Sequence, residues 1–392
     1  MKILPQLHTK GYYRTAAAAF FFIQGLVFAS WASRIPDIKD RLGLNEAELG
    51  GILFDIPVGQ LSAMALSGYL VSRFGSRKIL TLAGILYPLS LVSIGAVNTS
   101  LQLIAALVFF GITANLCNIS VNTHGVGVER LYNRSIMGVF HGLWSFAGFC
   151  GGLISTVMVS FDITPLTHFI IIFVVTLMIL LTARTYMLPR DATENNRNTD
   201  TPKENKKVFV IPDKFILVLG LIAFGSMVCE GTMFDWSSVY FESVINPPKG
   251  LVRLGYIAFM CTMALGRFTS DRLVTRFGAV RVIRISGVLI AAGLLVSVIF
   301  PYLWTATAGF LLVGFGVSSI VPLCYSMAGG SKTMLPSIAL ATVSTIGFFG
   351  FLLGPPVIGF IAHASSLRWS FAVIAMVGLL TSVVVGALKK IN

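Results

Sequence analysis

Long apolar stretches fill this chain, and short polar intervals interrupt them at nearly regular spacing. Each stretch holds about twenty residues or more, enough for a helix to cross the ~30 Å hydrocarbon core of a bilayer. Twelve spans are predicted, at about 15–37, 46–71, 79–97, 101–123, 135–160, 165–187, 214–241, 251–274, 282–300, 302–327, 337–362 and 368–388. The first follows Lys2, Lys10 and Arg14 much as a signal-peptide core would, but its length predicts a retained helix. Asn45 with Glu48 predicts an N-cap opening the second span. One long polar interval, 189–213, is rich in Asn, Thr, Lys, Glu and Arg and has no apolar face. It predicts a flexible cytoplasmic linker between an N-terminal six-helix bundle (1–188) and a C-terminal one (214–392).

Composition agrees with a chain in a bilayer. At 55% hydrophobic and 11% charged residues, the chain has too little polar surface to cover a soluble globule. The net charge of +13 raises nucleic acid as a partner, but the basic residues sit in gaps between apolar runs rather than along one face. Topology accounts for them: 22 of the 29 Lys and Arg fall in the N-terminus, the even-numbered loops and the C-terminus. The positive-inside rule then predicts that both termini are cytoplasmic. Only Arg34, Lys39, Arg41, Lys249, Arg253 and Arg368 lie on the other side, and Arg267 falls within a span. The five cysteines all sit in apolar segments without paired or zinc-like spacing, so neither a disulfide framework nor a metal site is expected.

A phrase in the second loop repeats. Gly68-Tyr-Leu-Val-Ser-Arg-Phe-Gly-Ser-Arg-Lys78 is answered by Asp271-Arg-Leu-Val-Thr-Arg-Phe-Gly-Ala-Val-Arg281, with Arg73 and Arg276 203 residues apart. Ser30-Trp31-Ala32-Ser33 and Asp235-Trp236-Ser237-Ser238 match at a spacing of 205, so both echoes share one register. Duplication of a six-span half follows.

The repeated phrase resembles the signature that the major facilitator superfamily carries between its second and third helices, with the usual echo between the eighth and ninth. Ala29 to Asp37, Asn122 to Arg130 and Phe140 to Gly148 narrow the resemblance to the YbjJ/MosC-like bacterial inner-membrane branch. The resemblance implies an all-α membrane protein of twelve helices in two pseudo-symmetric bundles, with a central site opened alternately to either side. It also implies an inner-gate role for Gly68, Arg73, Gly75, Arg77, Lys78, Asp271, Arg272, Arg276 and Gly278. Ser72 and Thr275 replace the family's usual acids, the fourth span has no arginine and the fifth no proline. The arginines of the motif are expected to pair with Glu129 or with helix C-termini.

Ionisable and amide groups inside spans are costly, so each is a functional candidate. Asp55, Glu230 and Asp235 are the candidate proton carriers, with a structural hydrogen bond or an ion pair to Arg34 as the alternative for Asp55, and an outer-gate role for Asp235. Asn115, Asn118 and Asn122 fall on one helical stripe, suited to the hydroxyls of a neutral polar ligand. His141 and Trp144 share a face of the fifth span, the tryptophan suited to stacking on a sugar ring or cation. In the superfamily the first and seventh helices line the cavity, which adds Gln24, Trp31, Glu230 and Trp236 to the substrate-binding set. Arg34 is a candidate for an anionic group, or else a snorkelling end charge or a partner of Asp37 or Asp55. The glycines and prolines between Gly347 and Gly359 predict a kinked, closely packed eleventh span.

No phosphate-binding loop, nucleophile elbow or HExxH pattern occurs, so neither direct ATP use nor enzymatic activity is expected, and no cofactor. The sequence predicts a monomeric secondary active transporter for a small polar solute (a sugar, polyol or related amine), coupled to H+. The alternatives are a transport-inactive sensor or scaffold of the same fold, or a drug or metabolite exporter.

Overall fold

The computed structural model describes residues 9–132, 136–189, 213–331 and 334–391; the expected linker lies almost wholly outside them. Helices account for nearly everything described, because hydrocarbon offers backbone amides and carbonyls no partner outside the chain. In order they are α1 (Lys10–Ala32), α2 (Ile35–Leu42), α3 (Glu46–Leu53), α4 (Asp55–Phe74), α5 (Ser76–Gly95), α6 (Ser100–Glu129) and α7 (Met137–Ser160). There follow α8 (Pro165–Ala183), α9 (Lys214–Tyr240), α10 (Leu254–Phe277), α11 (Ala279–Ile299), α12 (Leu303–Gly329), α13 (Pro336–Ala364) and α14 (Leu367–Ile391). Among the described residues, twelve segments are long and apolar enough to cross a membrane, with α1–α2 forming one and α3–α4 another.

The first two spans run through interruptions that hydropathy does not show. Pro36 sits in the first turn of α2, and its ring would collide with the carbonyl four residues back, that of Ala32, where α1 ends. Pro57 stands in the same relation to Leu53, the last residue of α3. Asp55 is therefore the first residue of a new helix rather than a mid-helix residue. Asn45 caps α3 through a reciprocal box, accepting from the Glu48 amide at 2.9 Å while the Glu48 carboxylate accepts from the Asn45 amide at 3.0 Å. In the eleventh span, α13 continues as one helix with Pro355 and Pro356 inside it.

Contacts group the residues into two compact units: 1–30 with 55–147 and 164–209, and 31–54 with 148–163 and 210–392. In the first unit α6 packs along α4 and α5, and α5 along α8. Gly59 and Gly111 let α4 and α6 approach until bare Cα faces backbone, at Val108 and Ile56 respectively. In the second unit α9 packs on α13, α11 on α12 and α14, α10 on α12, and α3 on α13. Gly50 of α3 lies against Gly359 of α13: a Cβ added at Gly50 would stand 2.9 Å from both the Gly359 Cα and the Pro355 carbonyl oxygen. Next to it, Gly51 faces open space.

Those two neighbours separate packing from helix propensity. Gly50→Leu should destabilise the protein by about 1–3 kcal/mol through overpacking, while Gly51→Leu leaves the unfolding temperature within a degree or two of wild type; thermal unfolding in detergent checks both.

Candidate functional site

Within the first unit, the amide stripe of α6 grades from buried to open. Asn115 is buried and its Oδ1 has no hydrogen-bond partner, Asn122 is half-buried, and Asn118 is exposed. The Asn122 amide donates to the Asn118 carbonyl at 2.8 Å. Gly125 continues the same face, and a Cβ there would stand 3.1 Å from the ring of Phe21 on α1 and 3.4 Å from that of Phe140 on α7. The stripe thus runs toward the seam where α1, α6 and α7 meet. Gln24 lies one turn along α1 from Phe21 and is buried. The exposed ring of His141 sits edge-on to Phe21, centroids 5.4 Å apart, and Trp144 packs beside Phe28 at 6.0 Å. Gln24, Asn118, Asn122, His141 and Trp144 therefore share one seam. Asp55 is half-buried at the head of α4 and makes no hydrogen bond or ion pair among the described residues.

Within the second unit, Glu230 of α9 faces Arg267 of α10, with Oε1 and Nη2 3.2 Å apart and both side chains mostly buried. The Glu230 charge also reaches Tyr325 of α12, whose hydroxyl pairs with Ser344 of α13. The pair thus joins α9 to α10, with Tyr325 of α12 within electrostatic reach. Each of the two charges offsets the desolvation cost of the other inside the spans. Asp235 lies one and a half turns further along α9, buried, and Trp31 and Trp236 are wholly buried.

A second charged cluster forms where α1 breaks. Arg34, 1% exposed, donates to Asp37 at 3.1 Å and to the Ile163 carbonyl at 2.8 Å. Arg253, ahead of α10, pairs with the other Asp37 oxygen and donates to the Ser33 carbonyl at 3.1 Å. One carboxylate therefore holds two guanidiniums, and Lys39 with Glu46 extends the cluster at 3.5 Å. Of the partners expected for Arg34, Asp37 is the one it takes.

The repeated phrase folds twice into the same joint. Gly75 has φ 83° and ψ 149°, Gly278 φ 78° and ψ 149°, each in the left-handed half of the map that favours glycine. Each amide closes the preceding helix on a carbonyl four residues back, Val71 or Val274. Arg73 stacks over Phe74 at 5.8 Å and Arg276 over Phe277 at 5.4 Å. Ser72 and Thr275, in place of acids, hydrogen-bond to the Tyr69 and Asp271 carbonyls of their own helices. Glu129 turns to the amides of Ile136 and Met137 ahead of α7, at 2.7 and 2.9 Å. Arg77 donates to the Arg184 carbonyl at the end of α8, at 3.2 Å. Gly68, Lys78, Asp271 and Arg272 fall within the two copies, on the helices either side of the joints.

Several partners escaped the sequence. Arg267 was visible as a charge in a span, but its pairing with Glu230 was not. His124 is fully buried and bridges the Ser76 hydroxyl at 3.1 Å and the Leu188 amide at 3.4 Å, holding α5 and the end of the α8 segment to α6. It lies one residue past the fourth predicted span, and nothing in the sequence marked it as a bridge. Among the described residues no group of three His, Cys, Asp or Glu gathers as a metal site, and the five cysteines are unpaired.

The chain matches the model of the Major Facilitator Superfamily over residues 16–332 and 246–391. It is 34% identical over 356 residues to an uncharacterized MFS-type transporter of Yersinia pestis, covering 91% of this chain and 90% of that protein. It is 31% identical over 368 residues to the membrane protein MosC of Rhizobium meliloti, covering 94% and 88%. The crystal structure of a D-xylose-proton symporter superposes with a TM-score of 0.74 at 15% identity, over 96% of this chain and 97% of that one. Twelve spans, a twice-folded glycine joint and whole-length relatives together make this chain a member of the Major Facilitator Superfamily, with the fold of its transporters.

Proposed function

We propose that the protein is a proton-coupled secondary active transporter of a bacterial inner membrane, moving a small polar solute such as a sugar, polyol or related amine by alternating access. The observation that carries this is the Glu230–Arg267 pair, an ionised couple inside two spans of a transporter fold. Two charges buried together hold each other in place at a high desolvation cost, so removing one leaves the other uncompensated. A proton on Glu230 frees the Arg267 guanidinium to take a solute oxygen; departure of the solute restores the pair and releases the proton. Proton and solute thereby become linked through one coupling free energy, of order 1–3 kcal/mol. Asp55 is the second candidate proton carrier. The seam bearing Gln24, Asn118, Asn122, His141 and Trp144 supplies amide and aromatic surface for hydroxyls and ring faces.

The distribution of Lys and Arg favours cytoplasmic termini, which puts the Arg34–Asp37–Arg253 cluster on the outer side. Asp37 belongs to the N-terminal sequence repeat and Arg253 to the C-terminal one, so the cluster acts as an outer latch that opens when access switches. The repeat supports two six-helix halves, 1–188 and 214–392, working as a monomer with no cofactor.

In proteoliposomes, solute flux should collapse when a protonophore dissipates the pH gradient; flux indifferent to the gradient removes the proton coupling. A solute found by thermal shift should lose its stabilisation in both Asn118→Ala and Glu230→Gln, and retention in both would put the site elsewhere. Asp37→Asn should lower stability by about 3 kcal/mol, because two buried guanidiniums lose their counter-ion; thermal unfolding measures it, and a change below about 0.5 kcal/mol would show the cluster to be a surface pair.

A further inference from the structure

Asp235 differs from Glu230 in having nothing to pair with. It is 5% exposed, and its carboxylate makes no hydrogen bond or ion pair among the described residues. Its charge reaches Tyr256 of α10, which is fully buried and whose hydroxyl also has no partner. Ser238 follows Asp235 by one turn on the same face of α9, 1% exposed, and its hydroxyl is unpartnered too. Ser155, Ser226 and Ser237 share that state, whereas Ser30, Ser145 and Ser160 settle on the carbonyl four residues back. On α7, Gly152 makes room for the Tyr256 ring, a Cβ there standing 3.2 Å from Cδ1. All these residues belong to the second compact unit.

We propose that Asp235, Tyr256 and Ser238 form a binding site for a single dehydrated sodium ion. A buried carboxylate without a cation carries its full desolvation cost, and buried hydroxyls without partners add theirs. A proton would neutralise the carboxylate but leave the surrounding hydroxyl lone pairs idle. An alkali cation can take a lone pair from each oxygen it touches. The donors are all oxygen, which selects a hard ion over a transition metal, and one carboxylate matches a single positive charge. Binding would draw α9 and α10 together, so sodium acts on the packing of these two helices while the Glu230 pair handles the proton. The site does not depend on the transport reading, because it is measured on purified protein without any gradient.

The experiment is thermal unfolding in detergent at fixed pH and ionic strength, with NaCl exchanged stepwise for KCl or choline chloride. Sodium should raise the unfolding temperature saturably and more than either replacement. Asp235→Asn should abolish that shift, and Tyr256→Phe should raise the half-saturating sodium concentration about tenfold, the loss of one good ligand. If Asp235→Asn does not fold, Tyr256→Phe and Ser238→Ala keep the charge and read the same site. Equal shifts with all three salts, or a sodium shift undiminished in these variants, would overturn the proposal. Choline matching or exceeding sodium would assign an ammonium group of the solute in its place, and stabilisation that follows pH but ignores sodium would assign a proton.

Discussion

Hydrocarbon cannot hydrogen-bond, and that absence governs the molecule. Backbone groups must pair inside each segment, which leaves helices as the way across. Side chains obey the same constraint: serines and threonines from Ser30 to Thr381 turn back to carbonyls of their own helices. His124 spends both ring nitrogens on Ser76 and Leu188, and Glu230 and Arg267 satisfy one another. Where the constraint is met, partners hold helices together. Where it is not, as at Tyr256 and the Asn115 carbonyl among the described residues, the chain carries a desolvation cost.

Sequence made the local features legible. Span lengths, the Asn45–Glu48 box and the duplicated loop depend on residues within a few positions of each other, where periodicity and capping chemistry apply directly. The breaks at Pro36 and Pro57 carried an equally local signal, a ring facing a carbonyl four residues back, which hydropathy averages away. Long-range pairing was not legible. Glu230 meets Arg267 across 37 residues and Asp37 meets Arg253 across 216, and no pattern along one helix encodes a partner on another. Arg34 shows the consequence: an end-of-span arginine suits an anion-binding role until its neighbours are known, and here Asp37 and the Ile163 carbonyl occupy it.

Charge and backbone irregularity coincide in the first two spans. The turn that Pro36 forces after α1 places Ser33, Arg34 and Asp37 within reach of Arg253, and the break before Pro57 places Asp55 at a helix start. A continuous helix would have kept these groups along a smooth apolar wall, where each would have needed its own partner. Two prolines therefore do more than kink; they decide where ionised groups can be tolerated at membrane depth.

Because Gly75 and Gly278 adopt nearly one conformation, the molecule contains the same backbone joint in two chemical settings. The joints differ in what surrounds them: Gly68 stands where the second copy has Asp271, and Ser76 faces His124 where the second copy has Ala279. Each joint is thus an internal control for the other. Duplication supplied one backbone joint, and what distinguishes its two copies lies in the side chains around them.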